Sequence, residues 1–215
     1  MLLALTACLL GLTGLAGWAL RVQARRRAAL RAFAAEHGWH PVRVRPRGLP
    51  LGRGAQRARG GLAGTWGGRP ARAYEVSVRT VHGQGSVQVQ TWAVLEVQLP
   101  APLPALDLVP LHGLSRPVAR LLPAAYEPES EDVARRYRFG TRDPRTAAAV
   151  LGPRTLQVLL DRPPVRVRLD GDRALCWATG RLEPDGLRER LGTVTALLDG
   201  VPGFVWSDAA LEVRA

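Results

Sequence analysis

The sequence predicts an α+β fold, with an apolar N-terminal helix followed by one soluble domain on an antiparallel sheet. Three observations predict it. The positions Val87, Val89, Thr91, Ala93, Leu95, Val97 and Leu99 alternate with mainly polar neighbours, the period-two pattern of a strand with one buried face. Strand-like stretches come first and helical ones are interleaved irregularly, which argues against a parallel βαβ array. Leu2 to Leu20 is an uncharged run of 19 residues that, as a helix, reaches about 28 Å, close to the ~30 Å of a bilayer core.

Taken in order, residues 1–20 read as a transmembrane anchor, with Trp18 at its end where an interfacial aromatic belongs. Residues 21–37 continue it as a basic juxtamembrane helix rich in Ala, Leu and Arg, which Gly38 stops. Residues 38–61 read as a basic Pro/Gly linker: Pro41, Pro46 and Pro50 break any helix, and arginines alternate with glycines. Residues 62–208 form the soluble domain, and 209–215 a tail.

Within that domain, Leu62–Trp66 and Arg69–Val81 flank Gly67-Gly68, a tight hairpin turn. A second turn at 82–85 leads into the alternating strand, whose apolar face Tyr74, Val76 and Val78 are expected to share, giving a three-stranded meander. The Pro-punctuated stretch 100–110 must be extended, with a short edge strand at 106–109. Val133–Thr141 reads as a strand. Asp143-Pro144 and Gly152-Pro153 open short helices. Val165–Leu169 and Arg173–Ala178 read as a later hairpin about Gly171-Asp172, and Asp185–Leu198 as an amphipathic helix with Leu187, Leu191, Val194, Leu197 and Leu198 on one face.

With 215 residues and 47% hydrophobic content, the chain can bury a core without disulfides, and collagen-like, coiled-coil and disordered classes are excluded. All 30 basic residues are arginine, and Lys, Asn and Ile are absent, a bias that GC-rich coding produces without selection for function. Arginine content is therefore weak support for nucleic-acid binding, and the Arg-Gly steps of the linker lack interleaved aromatics. Position says more. Residues 21–72 hold 13 Arg and one acid, Glu36, whereas residues 73–215 hold 17 of each sign, so the net charge of +12 sits in the early segment.

Arg21, Arg25, Arg26, Arg27 and Arg31 directly follow the apolar run, so the positive-inside bias places the C-terminal domain in the cytoplasm and the N-terminus outside. The cluster is topogenic and meets anionic lipid of the bilayer, which relieves the like-charge pairs Arg21/Arg25 and Arg27/Arg31. A cleaved secretory signal would need its basic residues on the other side. Ala7, Gly11 and Gly14 share one helix face, on which two copies can pair as a homodimer.

The search for chemistry is mostly negative. His37 and His40 alone are too few for zinc, no Walker A, G-x-S-x-G or dinucleotide fingerprint occurs, and no cofactor is expected. Asp170-Gly171-Asp172 could hold a divalent cation but sits where a turn needs such residues. Glu127–Asp132 is an acidic loop, and Cys176 a small buried hydrophobe. The expected function is a membrane-anchored, cytoplasm-facing interaction or scaffold module without catalysis, engaging a membrane or cytoplasmic protein. The alternative is a membrane-bound hydrolase or transferase with a site assembled from scattered residues.

The anchor, Gly64-Thr65-Trp66-Gly67-Gly68-Arg69-Pro70 and the ending Val201-Pro202-Gly203-Phe204-Val205-Trp206 together resemble uncharacterised single-pass membrane proteins of high-GC Gram-positive bacteria. The resemblance implies a membrane-tethered cytosolic domain and no assigned activity.

Overall fold

The computed structural model describes residues 2–46, 49, 51, 55–81, 86–111, 125–128 and 130–212, with the side chains of these other than 2–16, 19, 55, 125 and 210–212. Helix α1 spans Leu2–Glu36. Gly38, at φ 68°, then takes the left-handed conformation that ends it, as expected. Strands β1 (His40–Val42), β2 (Ala55–Trp66), β3 (Arg69–Val81) and β4 (Val87–Pro110) follow as an antiparallel run. Gly67 and Gly68 make the turn between β2 and β3 at φ 53° and 76°, as the sequence requires. The turn expected at 82–85 lies outside the described residues.

Strand pairing intrudes on the segment read as a linker. β1 pairs with β2 through His40↔Ala63 and Val42↔Gly61, and β2 itself starts at Ala55. The Pro and Gly residues that rule out a helix here do not rule out extended pairing.

β4 departs further from expectation, being one strand of 24 residues. Pro100, Pro102 and Pro104 fall beyond the last β3 pair, Ala71↔Val97, and in the stretch where pairing with β7 slips, so their missing N–H groups break no ladder. Residues 106–109 are not an edge strand: Leu106 and Leu108 pair with β6 (Tyr137–Thr141) on one side and β7 (Val167–Thr179) on the other. β5 (Ala125–Tyr126) extends the sheet beyond β6. Among the described residues the sheet has seven strands.

The expected hairpin at 165–178 falls within one strand, β7, whose two arms both pair antiparallel with β4. The chain does turn back at Gly171, φ 57°, and the Trp177 N–H donates to the Arg166 carbonyl at 3.4 Å across the bend. Val133–Thr141 is not one strand. Glu131–Arg136 forms a helical turn, α2, started by the Ser130 hydroxyl accepting from the Val133 N–H, and β6 begins only at Tyr137.

The remaining helices follow the sequence: α3 (Pro144–Val150), capped by the Asp143 carboxylate on the N–H groups of Arg145 and Thr146; α4 (Pro153–Asp161); and α5 (Pro184–Gly200), which buries Leu187, Leu191, Val194, Leu197 and Leu198. α6 (Gly203–Glu212) occupies the end of the domain and much of the expected tail.

Both faces of the sheet are covered over its central part, but at the start of β4 Val87 and Val89, expected on the buried face, are exposed. Leu95, Val97, Ala71 and Ala73 face the helices in the main core, which also takes in Phe33 of α1. Tyr74, Val76 and Val78 do not share that face. They stand opposite Val94, Trp92 and Gln90, and with Leu175, Trp177, Leu49 and Leu51 they form a second, smaller core. The strands accordingly lose strict alternation at Val94–Val97, where both faces are buried.

Candidate functional site

The most constructed feature of the molecule is the junction where α1 meets the sheet. Phe33 is 1% exposed, and around its ring stand His37 (centroids 4.4 Å, stacked), Trp39 (5.7 Å, edge-on) and Trp66 (6.2 Å, stacked). His37 also stacks on Trp66 at 5.0 Å, and its Nδ1 lies 3.0 Å from the Phe33 carbonyl. The Trp39 indole N–H donates to the Thr65 carbonyl at 3.2 Å, which ties the exit of α1 to β2. Aromatic pairs of this kind contribute about 0.5–1.5 kcal/mol each beyond simple burial.

Charged contacts fasten the same helix. Arg26 Nη1 donates to Glu75 Oε1 of β3, with both side chains largely buried. Arg188 of α5 meets Glu36 at 2.8 Å, and its guanidinium lies 5.4 Å from the Phe33 ring centre.

This packing accounts for the glycine-rich Gly64–Pro70 segment. A Cβ on Gly64 would stand 2.3 Å from the Trp39 ring, and one on Gly67 would stand 2.8 Å from Thr195 Cγ2 of α5. Arg69 pairs with Asp199 at 3.0 Å. The segment is therefore a docking surface for α1 and α5.

The basic cluster divides accordingly. Arg21, Arg25, Arg27 and Arg31 are exposed on α1, while Arg26 turns inward to Glu75. One member of the cluster thus fixes the helix to the sheet. Ala7, Gly11 and Gly14 lie within α1, and their side chains fall outside those described.

Elsewhere, the acids of the sheet are matched by arginines or hydroxyls. Tyr74 donates its hydroxyl to buried Glu96, and burial pushes that phenol well above its usual range, with the Glu96 hydrogen bond and charge adding to the rise. Arg173 stands 3.8 Å from Glu96. Asp107 of β4 is held up by burial, an effect that Arg168 at 3.2 Å opposes. Asp170 and Asp172 do not converge on a cation. Each pairs with an arginine of its own strand, Arg168 at 3.0 Å and Arg173 at 3.3 Å. In the acidic loop, Glu131 and Asp132 pair with Arg135 of α2. Cys176 is 1% exposed, and burial pushes its thiol up to about 12, so it is inert. Among the described residues no group of three or more His, Cys, Asp and Glu is placed to hold a metal, and no helix is long and apolar enough to cross a membrane; most of the expected anchor, residues 2–16, has its side chains outside those described, so the expected transmembrane span is not shown.

A cleft of about 480 Å³ runs beside β7, lined among others by Trp92, Arg166, Trp177 and Arg190. The Arg166 guanidinium lies 5.8 Å from the Trp177 ring centre, and the indole N–H groups of Trp92 and Trp177 are buried without partners among the described residues. Neither this cleft nor the α1 junction is legible in the sequence, because each gathers residues far apart along the chain. A lone apolar-face Phe33 just past a basic run was the one available signal for the junction.

The chain shares a fold with a solved transport factor. Over 82% of its length, and 92% of the other chain, it matches the crystal structure of the mycobacterial trehalose monomycolate transport factor A, TtfA, with a TM-score of 0.55 and 15% identity. At that identity the likeness is one of fold. No family model and no curated protein matches the chain.

Proposed function

We propose that this chain is a membrane-anchored, non-catalytic accessory module that presents its α+β domain at the cytoplasmic face of the bilayer to a protein partner engaged in transport. The observation that carries this reading is the continuity of α1, which runs without a break from the uncharged stretch 2–20 into the domain core, where Phe33, Arg26 and Glu36 lock it. A helix fixed in this way hands the orientation of the membrane segment to the domain. Tethering also raises the domain's effective concentration near a membrane partner. The exposed arginines Arg21, Arg25, Arg27 and Arg31 support the N-out orientation and contact with anionic lipid.

A non-catalytic role is supported by the pairing of the acids Glu75, Glu96, Asp107, Asp170 and Asp172 with arginines and by the inert Cys176, which leave no activated nucleophile beside a base at these positions. The shared fold with a transport factor supports the accessory character of the module.

The test compares proteins crosslinked in membranes to the full chain and to a version lacking residues 1–20, with a compartment-dependent reporter fused after Ala215. The proposal expects a membrane transport protein captured only by the full chain, and a reporter active only in its cytoplasmic form. Reporter activity outside the cytoplasm, or an unchanged capture pattern after removal of residues 1–20, overturns it.

A further inference from the structure

Where α1 passes from the uncharged run onto the sheet, a cavity of about 220 Å³ opens between the helix, the strands and the turn after β7. Four arginines from three separate parts of the chain line it: Arg26 and Arg27 of α1, Arg59 of β2, and Arg181 after β7. The acid in its wall, Glu75, is already engaged, because its Oε1 accepts from both Arg26 Nη1 and the Leu182 N–H. Arg27, Arg59 and Arg181 make no ion pair among the described residues, and Arg26 Nε is buried without a partner among them. The strand carrying Arg59 is irregular at that point, with a register slip between Arg59 and Leu62 and Gly60 at φ 62°. Bulges of this type re-aim side chains at binding sites.

Like charges gathered from distant segments into one cavity repel one another unless an anion joins them. Guanidinium forks match the oxygens of a phosphate in both geometry and charge. We propose that this cavity binds the phosphate group of an anionic lipid. The source of the phosphate rests on the anchoring reading above. Gln23 and Arg27, both in the cavity wall, follow Leu20 by three and seven residues. At the helical rise that is about 5–10 Å past the apolar run, roughly the depth of the headgroup layer. The cavity thus recognises one lipid at a built site, in addition to the diffuse attraction that any juxtamembrane arginine exerts.

The experiment uses the full chain in mild detergent with phosphatidic acid as the probe, counting retained lipid by native mass spectrometry. The unaltered protein should retain a single phosphatidic acid. Arg59→Gln with Arg181→Gln should weaken retention by roughly tenfold or more, since two charge-assisted contacts are lost. Arg21→Gln with Arg25→Gln removes the same charge from the exposed part of α1, taking away diffuse attraction only, and should weaken retention several-fold less than the cavity variant does. Equal losses in the two double variants, or full retention by Arg59→Gln/Arg181→Gln with an unaltered melting temperature, overturn the built site.

Two further arms separate the sources. Inorganic phosphate added without lipid should raise the melting temperature less than phosphatidic acid does. A phosphate-induced rise that matches it, and is lost in Arg59→Gln/Arg181→Gln, assigns the cavity to a soluble phosphate and overturns the lipid. Flotation with neutral phosphatidylcholine vesicles reads the anchoring alone, so its failure is distinguishable from failure of the cavity.

Discussion

Phe33→Ala probes whether the last turns of α1 belong to the domain or merely precede it. The ring is 1% exposed and is enclosed by His37, Trp39 and Trp66, with the Arg188 guanidinium 5.4 Å from its centre. Truncating a buried Phe costs about 3–5 kcal/mol, the transfer contribution plus that of the cavity left behind. Three large rings meeting at the site cannot collapse into the space without losing their stacking, which places the expected cost near 4 kcal/mol. For a chain of this size each kcal/mol moves the melting temperature by about 2–4 °C, so the full chain in mild detergent should melt roughly 8–16 °C lower. Tryptophan fluorescence during heating reports this directly, since Trp39 and Trp66 are reporters at the site itself. As a control, Arg25→Gln on the exposed surface of the same helix should stay within about 0.5 kcal/mol of the unaltered protein. A Phe33→Ala melting curve that overlays the control would refute the reasoning and return α1 to the status of a tether.

Three other outcomes are expected. Gly64→Ala forces a Cβ to 2.3 Å from the Trp39 ring, so it should destabilise the chain by about 1–3 kcal/mol and shift its tryptophan emission; a native spectrum and melting curve would contradict that packing. Cys176, its thiol raised to about 12 by burial, should resist alkylation at pH 8 in the folded protein and react on unfolding, read by peptide mapping so that Cys8 does not confuse the result. Asp143→Ala removes the α3 cap and should cost about 1 kcal/mol at neutral pH. Because hydrogen bonds to Thr146 hold the Asp143 carboxyl below its unfolded value of 3.8, its contribution is complete above that value and lost as pH falls through the lower folded one, so the difference from the unaltered protein should vanish in acid.

Local chemistry was legible and tertiary company was not. Gly67-Gly68, Asp143-Pro144, Gly152-Pro153 and Gly38 each specify a turn or helix end through backbone conformation or a cap, and each acts where expected. The periodic face of α5 needed only its own spacing. Errors arose where one pattern fits two structures. Gly171-Asp172 turns the chain back as its residues require, but nothing local announces that both arms also pair with a long β4. Tyr74, Val76 and Val78 look like the face opposite Leu95 and Val97 until the register assigns them to the other side of a sheet buried on both faces. Val133 satisfies a strand pattern, but the Ser130 cap with Glu131 and Asp132 in the first turn favours a helical turn. The site suffered most: Arg26 looks the same as Arg25 and Arg27 in a basic run, and only Glu75, 49 residues away, distinguishes it.

The continuity of α1 with the core is observed and its anchoring in the bilayer is proposed; extraction of membranes at alkaline pH tests the proposed anchoring most directly. Full-length chain should stay in the membrane pellet, whereas a chain lacking residues 1–20 should be released while keeping the melting temperature set by the Phe33 junction. Release of the full-length chain by the same treatment would contradict the account, because a helix that spans the bilayer is not displaced by removing surface charge.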